Sequence, residues 1–366
     1  MGVGFRFALS RTAVTLYLGT LSCILGCGTP SGPEAATKSE IISQAEREVT
    51  FVGAQGVKLA GTLLIPVHEQ GTQVAGVIIV AGSGPTDRNG NQPGLKIDLL
   101  KQIAEQLAQE GIASLRCDKR GQYASGKPKE GEALSGFTVW QNYVGDVAAA
   151  LAYLQGQPEI DANRTAMIGH SEGGLLVLQA AVEGEGFRKP PAALVLVSTP
   201  GRRCDLVLRD QIARRLRQQK ATAEQTKFFL TKNDEIMAAI KKTGQVPQKI
   251  PPGLAALYPP YLGKFLQSLL DFEAAARASR IPAPVLVLAG EKDSQHVVDQ
   301  ETSALIAGLK KRQSDAHERY IVPGASHNLK PVKADNDLGF AGNMAPEAAA
   351  KLRSWLGKKL GSIGKN

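Results

Sequence analysis

Short apolar runs alternate with longer amphipathic stretches along most of this chain. The run VAGVIIVAG at 74–82 is rich in β-branched residues and ends in glycine, which is typical of a strand buried on both faces. Leu99, Ile103 and Leu107 then recur every four residues and predict a helix over about 95–110. Similar strand and helix patterns follow, up to a closing helix in PEAAAKLRSWLGKKL. The alternation predicts a mainly parallel sheet with helices on both faces.

Two extended segments come before the alternating region. REVTFVG and VKLAGTLLIP are separated by Ala54-Gln55-Gly56, a pattern that predicts an antiparallel hairpin. Six further strand patterns follow between residues 74 and 324. We therefore expect an α/β fold with a mainly parallel, eight-stranded sheet and the N-terminal antiparallel hairpin at one edge.

Residues 201–280 interrupt the alternation between the sixth and seventh predicted strands. This segment is rich in Arg, Lys, Gln and Ala, predicts helices, and has the length of an insertion rather than of an independent domain. Helices inserted at this point predict a cap over the sheet. A run of basic residues usually forms a solvated helix face, and the alternative is attraction of an anionic lipid or a carboxylate-bearing substrate. The arginines concerned are Arg202, Arg203, Arg209, Arg214, Arg215 and Arg217.

The N-terminus has the features of an export signal. Residues 1–27 begin with two arginines, continue as an apolar stretch at 12–25 and contain no Asp or Glu. The stretch is short for a membrane span and is typical of a secretory signal peptide. Ile24-Leu25-Gly26-Cys27 also resembles a bacterial lipobox, in which Cys27 would be lipidated and become the first mature residue. Cys23 is a poorer candidate, and ordinary signal-peptidase cleavage without lipidation is the alternative.

The segments after the signal complete the predicted domain organisation. Residues 28–45 are polar and contain Gly, Pro and Ser, as a flexible tether would. Residues 46–366 then form the folded domain. A diacylated Cys27 and a basic body together would retain the protein at a membrane without spanning it. We therefore expect an exported protein, in the periplasm or cell envelope.

Composition narrows the range of partners and cofactors. The 366 residues are 43% apolar and 21% charged, which suits an ordinary globular protein. The formal net charge is +9, but no Lys/Arg block with interleaved aromatic residues occurs, so we expect no nucleic-acid partner. No CxxC or HExxH motif is present and the five histidines are scattered, so neither a metal site nor a cofactor is predicted. Spacing leaves open whether Cys117 and Cys204 form a disulfide.

A serine stands between two glycines at the end of a predicted strand. Gly169, Ser171 and Gly173 in IGHSEGG form a Gly-x-Ser-x-Gly motif. A sharp strand-to-helix turn needs glycine at both flanking positions, because side chains there would collide with the adjoining backbone. The helix after the serine directs backbone N–H groups at developing negative charge. The motif alone is weak in a glycine-rich chain, so the other strand ends decide its meaning.

A glycine-rich loop, AGSGPTDRNGN at 81–91, follows the strand VIIV. Acyl transfer needs two N–H donors for the oxyanion of the tetrahedral intermediate. We expect the amide of Glu172, directly after the serine, to be one donor of this oxyanion hole. The Ser83 amide is the expected second donor, with Gly84 as the next choice. The alternative is a loop without a catalytic role.

An acid and a base follow two later strands. Asp293 in VLAGEKDSQHVVD and His327 in VPGASHNLK each come directly after a predicted strand. A serine hydroxyl needs a base near neutral pH, for which imidazole is suited, and a buried carboxylate fixes the imidazole tautomer. The chain order Ser171, Asp293, His327 is the order that the α/β-hydrolase fold requires. Asp205, after the sixth strand, is the alternative acid.

Two further pairs of charged residues follow strands. We interpret Asp118 and Arg120 in RCDKRGQ as an ion pair that holds their loop, with substrate contact as the alternative. Asp87 and Arg88 lie in the glycine-rich loop, where positioning of that loop is favoured over contact with substrate.

From about Glu48 to its end, the chain resembles the α/β-hydrolase superfamily. It is most similar to bacterial exported esterase-like members related to the serine aminopeptidase and lysophospholipase branch. The motifs that carry the resemblance are GSGPTDRNGN, LRCDKRGQYASGK, IGHSEGG, VSTPGRRCDLVLRDQ, GEKDSQHVV and VPGASHNLK. Two positions depart from the family pattern. Ala81 stands where many relatives have His, and His296 stands where a small apolar residue is usual.

The resemblance implies a serine hydrolase with a helical cap between the sixth and seventh strands, without a cofactor, that acts mostly on small-molecule carboxylic esters. Ala81 should leave an oxyanion site of backbone amides intact, whereas His296 changes the setting of Asp293. Family members also hydrolyse amides, thioesters and C–C bonds, so the resemblance does not name the substrate. A serine aminopeptidase with the same triad is the first alternative, and a non-catalytic, envelope-anchored binding protein is the second.

Overall fold

The computed structural model describes residues 41–334 and 336–361. Cys27 and the predicted signal peptide lie outside this range, so export and lipidation stay predictions. Within it, no helix combines the length and the apolar character that crossing a bilayer requires. Ile41–Ile42, near the end of the predicted tether, pair in an antiparallel ladder with His68–Glu69.

Eight strands form the main sheet of the described chain. Their bounds are β1 Ala45–Val52, β2 Lys58–Ile65, β3 Val74–Val80, β4 Ile112–Cys117, β5 Ile160–His170, β6 Ala193–Val197, β7 Val285–Gly290 and β8 His317–Val322. They lie side by side in the order β8-β7-β6-β5-β3-β4-β2-β1. The pairs β1–β2 and β2–β4 are antiparallel, and the other five pairs are parallel. The predicted eight-stranded sheet with an antiparallel hairpin at one edge is therefore confirmed.

Helices connect the strands and cover both faces of the sheet. Their bounds are α1 Leu99–Gln109, α2 Leu134–Phe137, α3 Trp140–Gln155, α4 Glu172–Glu183, α5 Cys204–Gln218, α6 Ala223–Thr243, α7 Pro252–Ala255, α8 Gly263–Leu270, α9 Ala274–Ala278, α10 Val298–Leu309 and α11 Pro346–Leu360. Successive side chains of a strand point to opposite faces, so Met167 joins the core under α3 and α4 while Ile168 joins the core under α1 and α11. Burial on both faces explains the nearly continuous apolar strands.

Helices α5 to α9, at 204–278, form one helical insertion between β6 and β7. The insertion is anchored to the rest of the domain by aromatic contacts. The ring of Trp140, at the start of α3, lies 5.4 Å from the ring of Phe265 and 5.3 Å from that of Phe272, between centroids. Such aromatic pairs contribute beyond their buried area, so α8 and the segment after it are fixed against α3.

Several arginines of the insertion are not part of a freely solvated helix face. The guanidinium of Arg202 donates two hydrogen bonds to the buried Glu301 and one to Asp210, which ties the start of the insertion to α10. Arg209 pairs with Asp234. Arg215 and Arg217 are exposed, as the charge run predicted.

The predicted ion pair between Asp118 and Arg120 is wrong. The chain turns sharply after β4, and each side chain finds a different partner. Asp118 accepts hydrogen bonds from the backbone N–H and the guanidinium of Arg88, at 2.9 and 2.7 Å. Arg120 donates two hydrogen bonds, at 2.8 and 2.7 Å, to Asp146 of α3. Arg88 therefore positions the glycine-rich loop, as predicted. Its partner is Asp118, which was expected from the sequence to pair with Arg120.

Candidate functional site

Ser171 sits at a strained turn between β5 and α4. Its backbone has φ 54° and ψ −122°, a positive φ that is uncommon for a residue with a side chain. A Cβ at Gly169 would stand 2.4 Å from the carbonyl oxygen of Gly173, and one at Gly173 would stand 2.4 Å from that of Val80. Neither position accepts a side chain. The two glycines thus have the steric role that the motif predicts.

The glycine-rich loop lies directly against this turn. A Cβ at Gly82 would stand only 3.1 Å from the Cβ of Ser171. The carbonyl of Ser83 accepts hydrogen bonds from the side chains of Thr86 and Gln92, both at 3.0 Å, and these bonds fix the loop. The loop is therefore held in place beside the serine by hydrogen bonds of its own.

Two backbone N–H groups close to Ser171 lack a hydrogen-bond partner in the described chain. Within the described residues, the amides of Ser83 and Glu172 donate no hydrogen bond to another group of the chain. Their side chains are linked, since the Ser83 hydroxyl donates to Glu172 Oε2 at 3.0 Å. Lys119 donates to Glu172 Oε1 at 3.1 Å. Unpaired amides next to a serine hydroxyl have the chemistry of an oxyanion hole.

Asp293 and His327 come from the ends of two different strands and meet in the structure. The Nδ1 atom of His327 lies 2.7 Å from Oδ2 of Asp293. The other carboxylate oxygen of Asp293 accepts the N–H groups of Gln295 at 2.7 Å and His296 at 2.9 Å. Burial by itself raises the pKa of Asp293, but the charge and hydrogen bond of His327 outweigh it and hold that pKa below its ordinary value. The carboxylate is therefore ionised and oriented.

The contacts of Asp205 and Asp293 distinguish between the two candidate acids that the sequence suggested. Asp205, the alternative acid, forms an ion pair with Arg203 at the start of α5. The carboxylate that lies against His327 is that of Asp293.

His327 lies beside the residue that precedes Ser171. The rings of His170 and His327 have centroids 4.9 Å apart, and His170 Nε2 donates to the His327 carbonyl at 3.2 Å. Among the described residues no hydrogen bond joins Ser171 to His327. Bonds of this kind are commonly long before substrate is present.

A third imidazole lies on the far side of His327. The ring of His296 meets that of His327 edge to face, with centroids 4.8 Å apart, and its Nδ1 is 3.7 Å from Asp293 Oδ2. The sequence marked His296 as unusual, but His170 was missed. His170 could have been identified from its position directly before the serine, at the end of a buried strand.

The helical insertion reaches the loop that carries the acid. Arg214 of α5 donates to the backbone carbonyl of Asp293 at 3.0 Å and to that of His296 at 3.3 Å. The interpretation of Arg214 as part of a solvated face is therefore wrong, because its guanidinium is used to hold the acid loop. Nothing in the local sequence connects two positions 79 residues apart.

Cys117 and Cys204, the two cysteines in the described part of the chain, are free thiols. Cys117 ends β4 and Cys204 begins α5. Burial raises the pKa of Cys204 to about 12 and that of Cys117 further. Thiols that hold their protons so firmly are poor nucleophiles, so the candidate chemistry rests on Ser171.

The buried histidines should make stability depend on pH. Burial, assisted by the charge of His327, lowers the pKa of His170 and of His296 from 6.5 to about 3. Between those values the unfolded chain binds protons that the folded chain does not, so stability falls as the pH drops below 6.5. The slope is at most about 1.4 kcal/mol per pH unit for each imidazole.

Urea unfolding between pH 6.5 and pH 5 would measure this slope. His296→Leu removes one of the two contributions, so its free energy of unfolding should fall less steeply over the same range. An equal slope in the variant and the unchanged protein would contradict the assignment.

One group of residues has the composition of a metal site. Asp293, His296 and His327 each offer a ligand atom, and these atoms lie within 4.8 Å of one another. In the described part of the chain no other group of three such residues meets the same criterion. Sequence spacing could not reveal it, since the residues come from two separate loops.

Comparison with known proteins agrees with the fold. The family model for serine aminopeptidase, S33, matches residues 96–330, more than half of the chain. No curated protein matches the chain by sequence.

Three solved structures illustrate the structural likeness. The Pyrococcus furiosus esterase PF2001 is 18% identical, with a TM-score of 0.54 over 88% of this chain and 92% of that one. The α/β hydrolase GrgF from Penicillium sp. sh18 is 18% identical, with a TM-score of 0.53 over 87% and 99%. Est1E from Butyrivibrio proteoclasticus, with bound ferulic acid, is 17% identical, with a TM-score of 0.52 over 86% and 99%. At these identities the likeness establishes the fold alone.

Proposed function

Since this chain belongs to the serine aminopeptidase S33 family and is an α/β hydrolase, we propose that it is a serine hydrolase that cleaves carboxylic esters through an acyl-enzyme. One observation carries the proposal. The buried, ionised Asp293 lies 2.7 Å from His327, which is packed beside the strained turn of Ser171. The three side chains come from separate strand ends, and their types are those that acyl transfer needs.

The proposed reaction has two halves. His327 Nε2 accepts the proton of Ser171 Oγ as that oxygen attacks the acyl carbon, and the carbonyl π electrons move onto the carbonyl oxygen. The imidazolium then gives its proton to the leaving alcohol as the tetrahedral intermediate collapses to an acyl-serine. The same imidazole takes a proton from water, whose oxygen attacks the acyl carbon. As this second intermediate collapses, the imidazolium returns the proton to Ser171 Oγ, and the acid and the free serine are released.

The groups around Ser171 and His327 orient the imidazole and stabilise the charges that form in the proposed reaction. Asp293 holds His327 with its proton on Nδ1, so that Nε2 is the accepting nitrogen. The free amides of Ser83 and Glu172 would receive the oxyanion, and each donor of this kind contributes about 3 kcal/mol to lowering a barrier. No metal or cofactor is needed for these steps. The helical insertion would form the cap over the site.

Esters are favoured over N-terminal peptides by the charges near the serine. An aminopeptidase needs an unpaired carboxylate to bind the substrate ammonium group. Glu172 is the acidic residue next to Ser171, and its two oxygens are already occupied by Lys119 and Ser83. The helical insertion contributes mostly arginines near its start.

Labelling with a fluorophosphonate tests the nucleophile directly. The unchanged protein should be labelled, and Ser171→Ala should not. Ser354→Ala, which changes an exposed serine of α11, is the matched control and should be labelled like the unchanged protein. Labelling that persists in Ser171→Ala would exclude Ser171, and absence of labelling in the unchanged protein would favour a non-catalytic binding protein.

A substrate panel separates the remaining alternatives. Hydrolysis of short p-nitrophenyl esters without hydrolysis of aminoacyl p-nitroanilides is the expected result. Faster cleavage of the anilides would instead identify an aminopeptidase, which is the activity named by the family model.

A further inference from the structure

His296 is a buried polar side chain without a partner in the proposed reaction. It is 5% exposed, beside Asp293 at 6% and His327 at 3%. Its Nδ1 lies 3.7 Å from Asp293 Oδ2, which is too long for a hydrogen bond. A lone pair of this imidazole is therefore not used by another group of the described chain. A neutral imidazole with a free lone pair is also a good ligand for a transition metal.

The loop presents the Asp293 carboxylate to both histidines in a fixed orientation. Oδ1 is taken by two backbone N–H groups, so Oδ2 is the oxygen that faces the imidazoles. Arg214 donates to two carbonyl oxygens of this loop, so its guanidinium fixes the loop without occupying Oδ2. Outer contacts that orient the ligands are a usual part of a metal site.

We propose that Asp293, His296 and His327 bind a divalent transition-metal ion, Zn²⁺ above all, and that this binding switches the hydrolase off. Two imidazole nitrogens and one carboxylate oxygen form a ligand set typical of zinc. Zinc holds such ligands at about 2.0–2.2 Å, which places neighbouring ligand atoms roughly 3.4 Å apart. Within the 4.8 Å limit, the widest pair of this cluster would close by up to about 1.4 Å, and the 2.7 Å pair of Asp293 and His327 would open.

Binding of the metal removes the base from the proposed reaction. Asp293 Oδ2 would bind the ion instead of accepting the Nδ1 proton of His327. An imidazole that ligates a metal through Nδ1 carries its own proton on Nε2, so the proton shifts between the two ring nitrogens and none is lost. Nε2 then has no lone pair to accept the proton of Ser171. The inhibition rests on the proposed function, whereas the binding does not.

Inhibition by Zn²⁺ is measured on the full chain with a p-nitrophenyl ester. Zn²⁺ should inhibit the unchanged protein, and a chelator should restore the rate. The inhibition constant should rise at least about tenfold in His296→Leu and His296→Gln, each compared with its own metal-free rate. His68→Leu, which changes a histidine of the short N-terminal ladder, should be inhibited like the unchanged protein. Mg²⁺ should not inhibit, because it prefers oxygen ligands.

Calorimetric titration of Ser171→Ala with Zn²⁺ tests the site without reference to catalysis. One ion should bind per chain, and Ser171→Ala combined with His296→Leu should not bind it. Zn²⁺ binding can be measured in this way even if the protein does not hydrolyse esters. Zn²⁺ inhibition that is equal in the His296 variants, loss of inhibition in His68→Leu, or binding of Zn²⁺ without inhibition would each overturn the proposed switch.

Discussion

Asp293→Asn should lower kcat for ester hydrolysis by about 1,000- to 10,000-fold, the loss known for this change in a serine-protease triad. The two backbone N–H groups of Gln295 and His296 require an acceptor, so the amide oxygen of the new side chain will face them. Its NH₂ group then takes the place of Oδ2 and faces His327. A donor there forces Nδ1 to accept, which moves the His327 proton to Nε2. That tautomer does not accept the proton of Ser171.

Asp205→Asn is the matched control for this prediction. Asp205 was the other acid considered, and it pairs with Arg203. Its substitution should leave kcat within about twofold of the value for the unchanged protein, as expected for an ion pair at the protein surface. Steady-state kinetics with p-nitrophenyl butyrate measures both variants, and thermal unfolding checks that each is folded. If Asp293→Asn keeps more than a tenth of kcat, or if Asp205→Asn causes the larger loss, the assignment of the acid is wrong.

Arg120→Met should reduce the free energy of unfolding by about 3–5 kcal/mol, because it leaves a buried charge without its partner. Arg120 is 1% exposed and makes a bidentate pair with Asp146, at 2.8 and 2.7 Å. It also donates to the carbonyls of Ala54, Asn142 and Phe137. Burial already raises the pKa of Asp146 despite this pair. The substitution removes all five of these hydrogen bonds and leaves the Asp146 carboxylate without its buried counter-charge.

Urea denaturation of two further variants makes this prediction specific. Arg209→Met removes an exposed ion pair with Asp234, and the expected cost is below about 1 kcal/mol. Arg120→Met combined with Asp146→Leu removes both buried charges and should recover about half of the loss or more, since an apolar pair can replace a buried ion pair. Equal losses for Arg120→Met and Arg209→Met would show that burial does not decide the effect.

The sequence alone predicted the features that depend on residue periodicity and short motifs. Strand and helix periodicity predicted the sheet, because residues buried on both faces of a strand must be apolar. The two glycines around Ser171 predicted a tight turn, and Ser171 has a positive φ between two positions that leave no room for a side chain. Asp293 and His327 could be placed at one edge of the sheet because parallel strands end on the same side.

Side-chain partners across the fold were not predictable in the same way. Asp118 and Arg120 are two positions apart, yet each is paired with a residue 26 or more positions away. Arg214 looked like an ordinary member of a basic run, and only the fold places it on the acid loop. In each case, elements that are distant along the chain pack around the buried charge and determine its free energy. These contacts cannot be predicted from the local sequence.

Arg214 also makes the helical insertion and the acid loop mechanically dependent on each other. Exchanging this insertion for that of another hydrolase, in order to broaden the range of accepted molecules, would remove the guanidinium that holds the carbonyls of Asp293 and His296. A chimera of this kind needs a donor restored at position 214. In this protein, a change to the insertion therefore also changes the support of the loop that carries Asp293.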